Sequence, residues 1–334
     1  MTATFQDATK AMLRCAVLVN NYNNAPYLRA CLDSVFAQSV LPDEVIVADD
    51  GSTDESLEVV REYGDRVQLL ARPHGRGSAI QNQAKAMEDA FRASTADVLF
   101  LLDGDDAFFP GKIEAYMAAF ADDDVVFVQA PLVKIDREDR VLGYEYESAR
   151  HQIDYLRHIY LEHELNIYYP TSAQAFRRHY LAQRFPLDVE DGKWIWPDAR
   201  LALLAPHFGK VATLPQPYTY WRRHPQSHTV AKALPVYRLV RLNQDYFNRF
   251  CRATGRPRIR PWRSRFHRRR FLRHYLVPNF LAQWFRVLRW RTLDEATKRR
   301  MLSGPTTQDL QREIDRMRRQ MQSAEQNTLR HVKA

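Results

Sequence analysis

The order of apolar runs and helical periodicities up to Ala130 constrains this chain most. Cys15 to Val19 is apolar and is followed by the polar turn Asn20-Asn21-Tyr22-Asn23-Asn24. Pro26 suits the first turn of a helix, and Leu28, Cys31, Leu32, Val35 and Phe36 then recur at helical spacing. Leu41-Pro42 breaks that helix, and Glu44 to Ala48 reads as the next strand. The alternation continues with a helix over Asp54 to Tyr63, capped by Thr53 or Asp54, and a strand over Val67 to Leu70. A flexible loop, Gly75-Arg76-Gly77-Ser78, precedes a helix over Ala79 to Ala93. A strand over Val98 to Leu102, a helix from Pro110 through Phe120 and a strand over Val125 to Ala130 complete the series. This order predicts an α/β fold with a mainly parallel sheet. Right-handed crossovers bring the carboxyl ends of the strands to one edge, where open α/β sheets bind ligands. Beyond Asp136 the pattern is mixed: Asp154 to Glu164 and Asp198 to Ala205 look helical, and Lys210 to Leu214 reads as a short strand.

Two acidic clusters fall at that edge. Asp49-Asp50-Gly51-Ser52-Thr53-Asp54 follows the second strand, and Asp103-Gly104-Asp105-Asp106 follows Val98 to Leu102. Crowded carboxylates are costly unless a cation is present. Carboxylates that hold Mg²⁺ or Mn²⁺ can bridge two phosphates and stabilise a leaving diphosphate. Gly104 would let the backbone approach a nucleotide closely. Asp50 can accept from the N3–H of a uracil ring or from ribose hydroxyls, whereas Thr53 or Asp54 reads as structural.

The chain has 334 residues, 45% of them hydrophobic, enough for one large domain with appendages. The net charge of +9 is uneven. Residues 256–300 hold 15 of the 49 Lys/Arg but two of the 40 acids, so that segment carries +13 and the remainder −4. Cys15, Cys31 and Cys251 show no metal spacing and are odd in number, so reduced thiols in a cytoplasmic protein are expected. Met1 to Lys10 lacks the basic start and apolar core of a signal peptide. No apolar run is long enough for a spanning helix.

Val19-Asn20-Asn21-Tyr22-Asn23, Ser34-Val35-Phe36-Ala37-Gln38-Ser39, Asp49 to Asp54, and Leu102-Asp103-Gly104-Asp105-Asp106 together resemble glycosyltransferase family 2 in order and spacing. The resemblance implies a GT-A fold, a nucleotide-sugar donor and inversion at the anomeric carbon, in a hexosyltransferase-type enzyme. It implies that Asn21, Tyr22, Asn23 and Asp50 contact the base, and that Asp103, Gly104 and Asp105 lie at ribose and metal. Where many members carry an Arg-Asn pair, this chain has Gln81-Asn82, with Arg76 as the nearby cation. Arg76 and Asn82 are the candidates of that segment for base or diphosphate.

The second half extends the resemblance to a bacterial subgroup. Tyr169 to Arg178 resembles an acceptor-side segment, and Pro197-Asp198-Ala199-Arg200-Leu201 resembles the position of the general base. Asp198 is the first choice for that base and Asp191, in Glu190-Asp191, the rival. Helix capping and a turn beside Gly192 are their structural alternatives. Tyr220-Trp221-Arg222-Arg223-His224 resembles a segment that closes over the donor. It offers His224 as a further metal ligand beside Asp103 and Asp105, and Arg222 or Arg223 for the diphosphate.

The expected organisation is a catalytic domain over 1–230, a basic aromatic helical region over 231–304 and a helical tail over 305–334. The basic region, with Phe280, Trp284, Phe285 and Trp290 among arginines, reads as a peripheral surface for an anionic membrane or as the solvated face of a small helical domain. Nucleic acid is disfavoured because no recognition module is visible. Leu310, Ile314, Met317, Met321 and Ala324 form a short heptad-like seam that suits a homodimer. The implied acceptor is a glycan or lipid-linked hydroxyl in cell-surface polysaccharide synthesis at the inner membrane face. A nucleotide-sugar-binding scaffold is the alternative. A sugar nucleotidyltransferase is less favoured, because the turn at Asn20 to Asn24 lacks its glycine-rich loop with Arg and Lys.

Overall fold

The computed structural model describes residues 12–145, 153–163, 165, 168–189, 195–224 and 236–260. The basic region beyond 260, the tail seam and Asp191 lie outside the described residues. The first half alternates as the periodicity predicts. Strands β1 (Cys15–Asn21), β2 (Glu44–Asp49), β3 (Gln68–Ala71) and β4 (Val98–Asp103) alternate with helices α1 (Ala25–Phe36), α2 (Ser56–Arg61) and α3 (Ala79–Ala93). Then follow β5 (Ala107–Phe108), α4 (Lys112–Ala119), β6 (Val125–Gln129), β7 (Leu132–Ile135) and β8 (Val141–Glu145). The last part holds α5 (Tyr155–Glu162), β9 (Gln174–Arg177), α6 (Arg178–Ala182), α7 (Pro197–Leu204), β10 (Lys210–Thr213), β11 (Thr219–Arg222) and α8 (Val236–Ala253).

Seven strands form the central sheet in the order β10-β6-β9-β4-β1-β2-β3. It is mainly parallel; β9 alone runs antiparallel, between β4 and β6. A second sheet, β5-β11-β7-β8, flanks it. The pairing of β1 sets Asn21 beside Asp49 and Asn20 beside Asp103, so the polar turn and both acidic clusters share one edge.

Strand alternation divides the core between the two faces. Cys15, Val17 and Val19 pack with Leu28, Cys31, Leu32 and Val35 of α1 and with Ile113 and Tyr116 of α4. Ala16 and Leu18 pack with Ala84, Met87 and Ala90 of α3, Tyr180 of α6 and Leu201 of α7. Each such buried Leu or Val side chain contributes roughly 1.5–3 kcal/mol. A third cluster joins Tyr155 and Ile159 of α5 to Leu203 of α7 and Phe247 of α8, fastening α8 to α5 and α7.

Local chemistry explains the helix starts. Ser78 and Gln81 form a capping box at α3, with Gln81 N donating to Ser78 Oγ and Ser78 N donating to Gln81 Oε1. The start of α2 corrects the expectation of a Thr53 or Asp54 cap: the N-cap is Glu55, with no side-chain cap. The carboxylate of Asp54 instead accepts from Ser56 N and Ala25 N, tying α2 to α1. Gln38 accepts from Ile113 N and donates to the Phe109 carbonyl, so the Ser34 to Ser39 motif anchors α4. No described helix is long and apolar enough to cross a membrane.

Candidate active site

The turn after β1 builds the first part of the site. Asn21 is fully buried, and its amide donates to Asp49 Oδ2 at 2.7 Å and to Ser52 Oγ at 3.3 Å. Asn23 takes a left-handed φ of 54°, which asparagine tolerates well. Its Oδ1 accepts from Thr53 N. Asn21 and Asn23 therefore brace the loop at Asp49–Thr53. Tyr22 is exposed and stacks on His74, with ring centroids 4.3 Å apart.

Asp50 sits below that stack, 5% exposed. Its Oδ1 pairs with Arg72 at 2.6 Å and accepts from Gly75 N; its Oδ2 lies 3.0 Å from His74 Nδ1. Arg72 also donates to the Asn82 carbonyl, and Asn82 Nδ2 donates to the Gly75 carbonyl. Asn82 thus shapes the loop, while Arg76 is an exposed cation on it. Sequence reasoning missed Arg72 and His74, taking Arg76 as the cation of this loop. The signal was their position directly after β3, the strand-end position that singled out Asp50.

The second cluster is more crowded. Asp103 Oδ1 accepts from Asn20 at 3.4 Å and from Gln83 at 3.2 Å. Burial, then the charges of Asp105 and Asp198, push the Asp103 carboxyl up to about 7. Asp105 Oδ2 lies 3.0 Å from His224 Nε2, and the His224 ring leans on Tyr27. Asp106 is buried and spends both oxygens on protein donors, Oδ2 on the Ser172 hydroxyl at 2.5 Å and Oδ1 on Arg222 N at 2.8 Å. Burial and the neighbouring Asp105 and Asp103 hold its carboxyl well above the ordinary range.

Arg222 is a strut of this edge. It is 3% exposed, donates to the carbonyls of Asp105 and Asp136, and pairs with Asp139. Gly104 meets Asn21: a Cβ there would lie 2.5 Å from Asn21 Oδ1.

Asp198 enters from the first turn of α7, 8% exposed. Its Oδ1 accepts from Ala199 N at 2.7 Å. Burial outweighs this bond and raises its carboxyl. Its charge adds to the rise of the Asp103 carboxyl, after burial and Asp105.

Among the described residues, no three His, Cys, Asp or Glu side chains converge as a closed metal cage. Asp105 and His224 do meet, while the hydrogen bonds of Asp103 fall on Oδ1.

Known proteins resemble this chain in sequence and in fold. Glycosyl transferase family 2 matches residues 16–185. A glycosyltransferase of Nostoc sp. is 30% identical over 223 residues, 66% of this chain and 68% of that one. The TarS structure of S. aureus with UDP-GlcNAc superposes with a TM-score of 0.50 at 18% identity, over 70% of this chain and 66% of that one. The mannosyltransferase of Pyrobaculum calidifontis with GDP-Man and Mn²⁺ gives 0.52 at 20% identity, over 82% and 73%. These two likenesses establish the GT-A fold. With the family match spanning both acidic clusters and the Nostoc relative covering two thirds of its length, the chain belongs to glycosyltransferase family 2.

Proposed function

We propose that this enzyme transfers a hexosyl group, with inversion, from a nucleoside-diphosphate sugar to a hydroxyl of a glycan or lipid-linked acceptor. A role in cell-surface polysaccharide synthesis follows from that acceptor class. The observation that carries the reading is the strand edge itself: β1 sets Asn21 beside Asp49 and Asn20 beside Asp103, so the polar turn and both acidic clusters converge there. Asp198 would accept the acceptor hydroxyl proton as the oxygen attacks the anomeric carbon. The unprotonated form does this work, and the Ala199 N–H favours it against the burial that opposes it.

A uracil donor is favoured. The exposed Tyr22 ring offers a stacking face, and Asp50 below it presents a carboxylate oriented by Arg72 and His74. The relatives bound to UDP-GlcNAc and GDP-Man are consistent with a nucleotide-sugar donor.

The residues fit a divalent cation. Burial and the fields of Asp105 and Asp198 already push Asp103 up to about 7, a crowding that a cation relieves. Asp105 and His224 would hold it, with diphosphate oxygens completing the shell. Such a mixed oxygen and nitrogen set suits Mn²⁺ better than Mg²⁺. When bound, the cation would neutralise charge developing on the leaving diphosphate.

The test is release of nucleoside diphosphate from UDP-glucose, UDP-GlcNAc and GDP-mannose, with Mn²⁺ and a panel of oligosaccharide acceptors. Asp198→Asn should lower kcat by about 10²–10⁴-fold with donor binding retained. Asp105→Asn should abolish Mn²⁺-dependent thermal stabilisation by UDP. Full activity of Asp198→Asn would move the base elsewhere.

A further inference from the structure

The base side of the site carries an aromatic ring pair of its own. His74 stacks on Tyr22 with centroids 4.3 Å apart and planes inclined by 20°. Its Nδ1 lies 3.0 Å from Asp50 Oδ2 and 2.8 Å from the Asp50 carbonyl. Both neighbours are acceptors, so this nitrogen carries a proton and donates. Asp50 Oδ1 is committed to Arg72 at 2.6 Å and to Gly75 N at 3.3 Å. Oδ2 is the oxygen that Arg72 and the loop backbone leave open, and His74 takes it.

Those are the two contacts that a uracil at this place requires: a ring face on Tyr22 and an N–H on the Asp50 carboxylate. The spacing does not admit both rings. Aromatic pairs sit about 4.5–7 Å apart, so a base sandwiched between Tyr22 and His74 would need roughly 9 Å or more between their centroids. They are 4.3 Å apart. The backbone of His74 cannot make the room. Gly51, at a φ of 74°, packs so closely that a Cβ there would lie 2.3 Å from His74 N, and Arg72 N donates to the Asp49 carbonyl at 3.2 Å. The side chain can make it, because it is 46% exposed and a change of rotamer carries the ring off Tyr22. Arg72 still holds Asp50 when the ring leaves.

We infer that His74 is a surrogate for the donor's nucleobase: its imidazole holds the ring position and the Asp50 oxygen that the base takes, so donor binding exchanges one ring for the other. The inference rests on the placement of the base at Tyr22 and Asp50 proposed above. A competing side chain reduces apparent affinity by the fraction of time that the place is clear. That factor is common to all bases, so His74 sets how tightly donors bind and leaves the choice among them to Asp50.

The test is titration calorimetry on the full chain with Mn²⁺, using UDP, or GDP if only that binds, and inorganic pyrophosphate as a probe without a base. His74→Ala and His74→Ser both remove the ring. Each should bind the nucleotide about 5–30-fold more tightly than wild type, with pyrophosphate affinity within about twofold. Adding Tyr22→Ala to His74→Ala should then weaken nucleotide binding at least about fivefold, since the base loses its stacking face. Unchanged or weaker nucleotide binding in both His74 variants overturns the inference alone, weaker binding making His74 a contact of the base. An equal gain for pyrophosphate also overturns it, because the effect would then lie outside the base. No loss in the double variant overturns the placement of the base at Tyr22, and the inference with it. A wild type that binds neither nucleotide overturns the nucleotide-donor reading as a whole.

Discussion

A Cβ built on Gly104 would lie 2.5 Å from Asn21 Oδ1, and the Asn21 amide cannot yield easily because Asp49 holds its other end at 2.7 Å. Gly104→Ala should therefore destabilise the fold by about 1–3 kcal/mol, the range for overpacking a close-packed interior. Urea denaturation measures it, and a change under about 0.5 kcal/mol would show that the loop gives way freely. The same contact shows what was legible at this scale. Carboxylates directly after apolar strands stand out in a sequence, so Asp50, Asp103 and Asp105 were found as site candidates. An isolated polar residue carries no such mark: Gln83 gains meaning only when chain segments far apart in sequence are brought together. Arg222 shows a second limit of the sequence. A sequence shows that an arginine is present but not where its donors go, and here they go to the Asp105 and Asp136 carbonyls and to Asp139.

Elements whose burial follows a simple period were legible, and those built on polar burial were not. The four strands β1, β2, β4 and β6 are apolar runs, and α1 and α3 bury one stripe each. By contrast, β9 reads Gln-Ala-Phe-Arg, with Gln174 and Arg177 both buried, so no alternation marks it. β5 is two residues long. The junction of α8 with the turn after α7 adds a pH-sensitive contact. His207 stacks on Phe247 of α8 at 5.1 Å and its Nδ1 faces Arg256 at 2.9 Å. Burial, then the Arg256 charge, lower this imidazole from 6.5 to about 4. Between those values the unfolded chain binds a proton that the folded chain does not, so stability is present above pH 6.5 and is lost as pH falls toward about 4. Linkage sets a ceiling of about 3 kcal/mol, and screening by nearby solvent brings the expectation to roughly 1–2 kcal/mol. Urea melts from pH 7 to pH 4 should show a flatter dependence for His207→Phe than for wild type by that amount. Parallel curves would remove His207 from the account.

Across the whole molecule, charge is segregated. Residues 256–300 carry +13 and the rest of the chain −4, so net charge describes neither part. The segment starts on firm ground: Arg256 bonds His207, and Ile259 packs into the cluster shared by α5, α7 and α8. Whatever binds the basic segment is therefore attached to the layer that carries Asp198. We propose that an anionic membrane surface is that partner, because arginines attract headgroups while Trp284, Phe285 and Trp290 suit the interface. Each basic side chain near such a surface contributes about 1 kcal/mol, and the attraction is screened within about 10 Å at 0.1 M salt. The chain should then co-sediment with vesicles containing about 30% phosphatidylserine at low salt, bind pure phosphatidylcholine far more weakly, and lose most of its binding near 0.5 M salt. Replacing Arg268, Arg269 and Arg270 with glutamine should weaken vesicle binding at least tenfold while leaving donor hydrolysis unchanged. Equal binding to neutral and anionic vesicles would remove the electrostatic account. No binding to either would leave the basic segment as a solvated face.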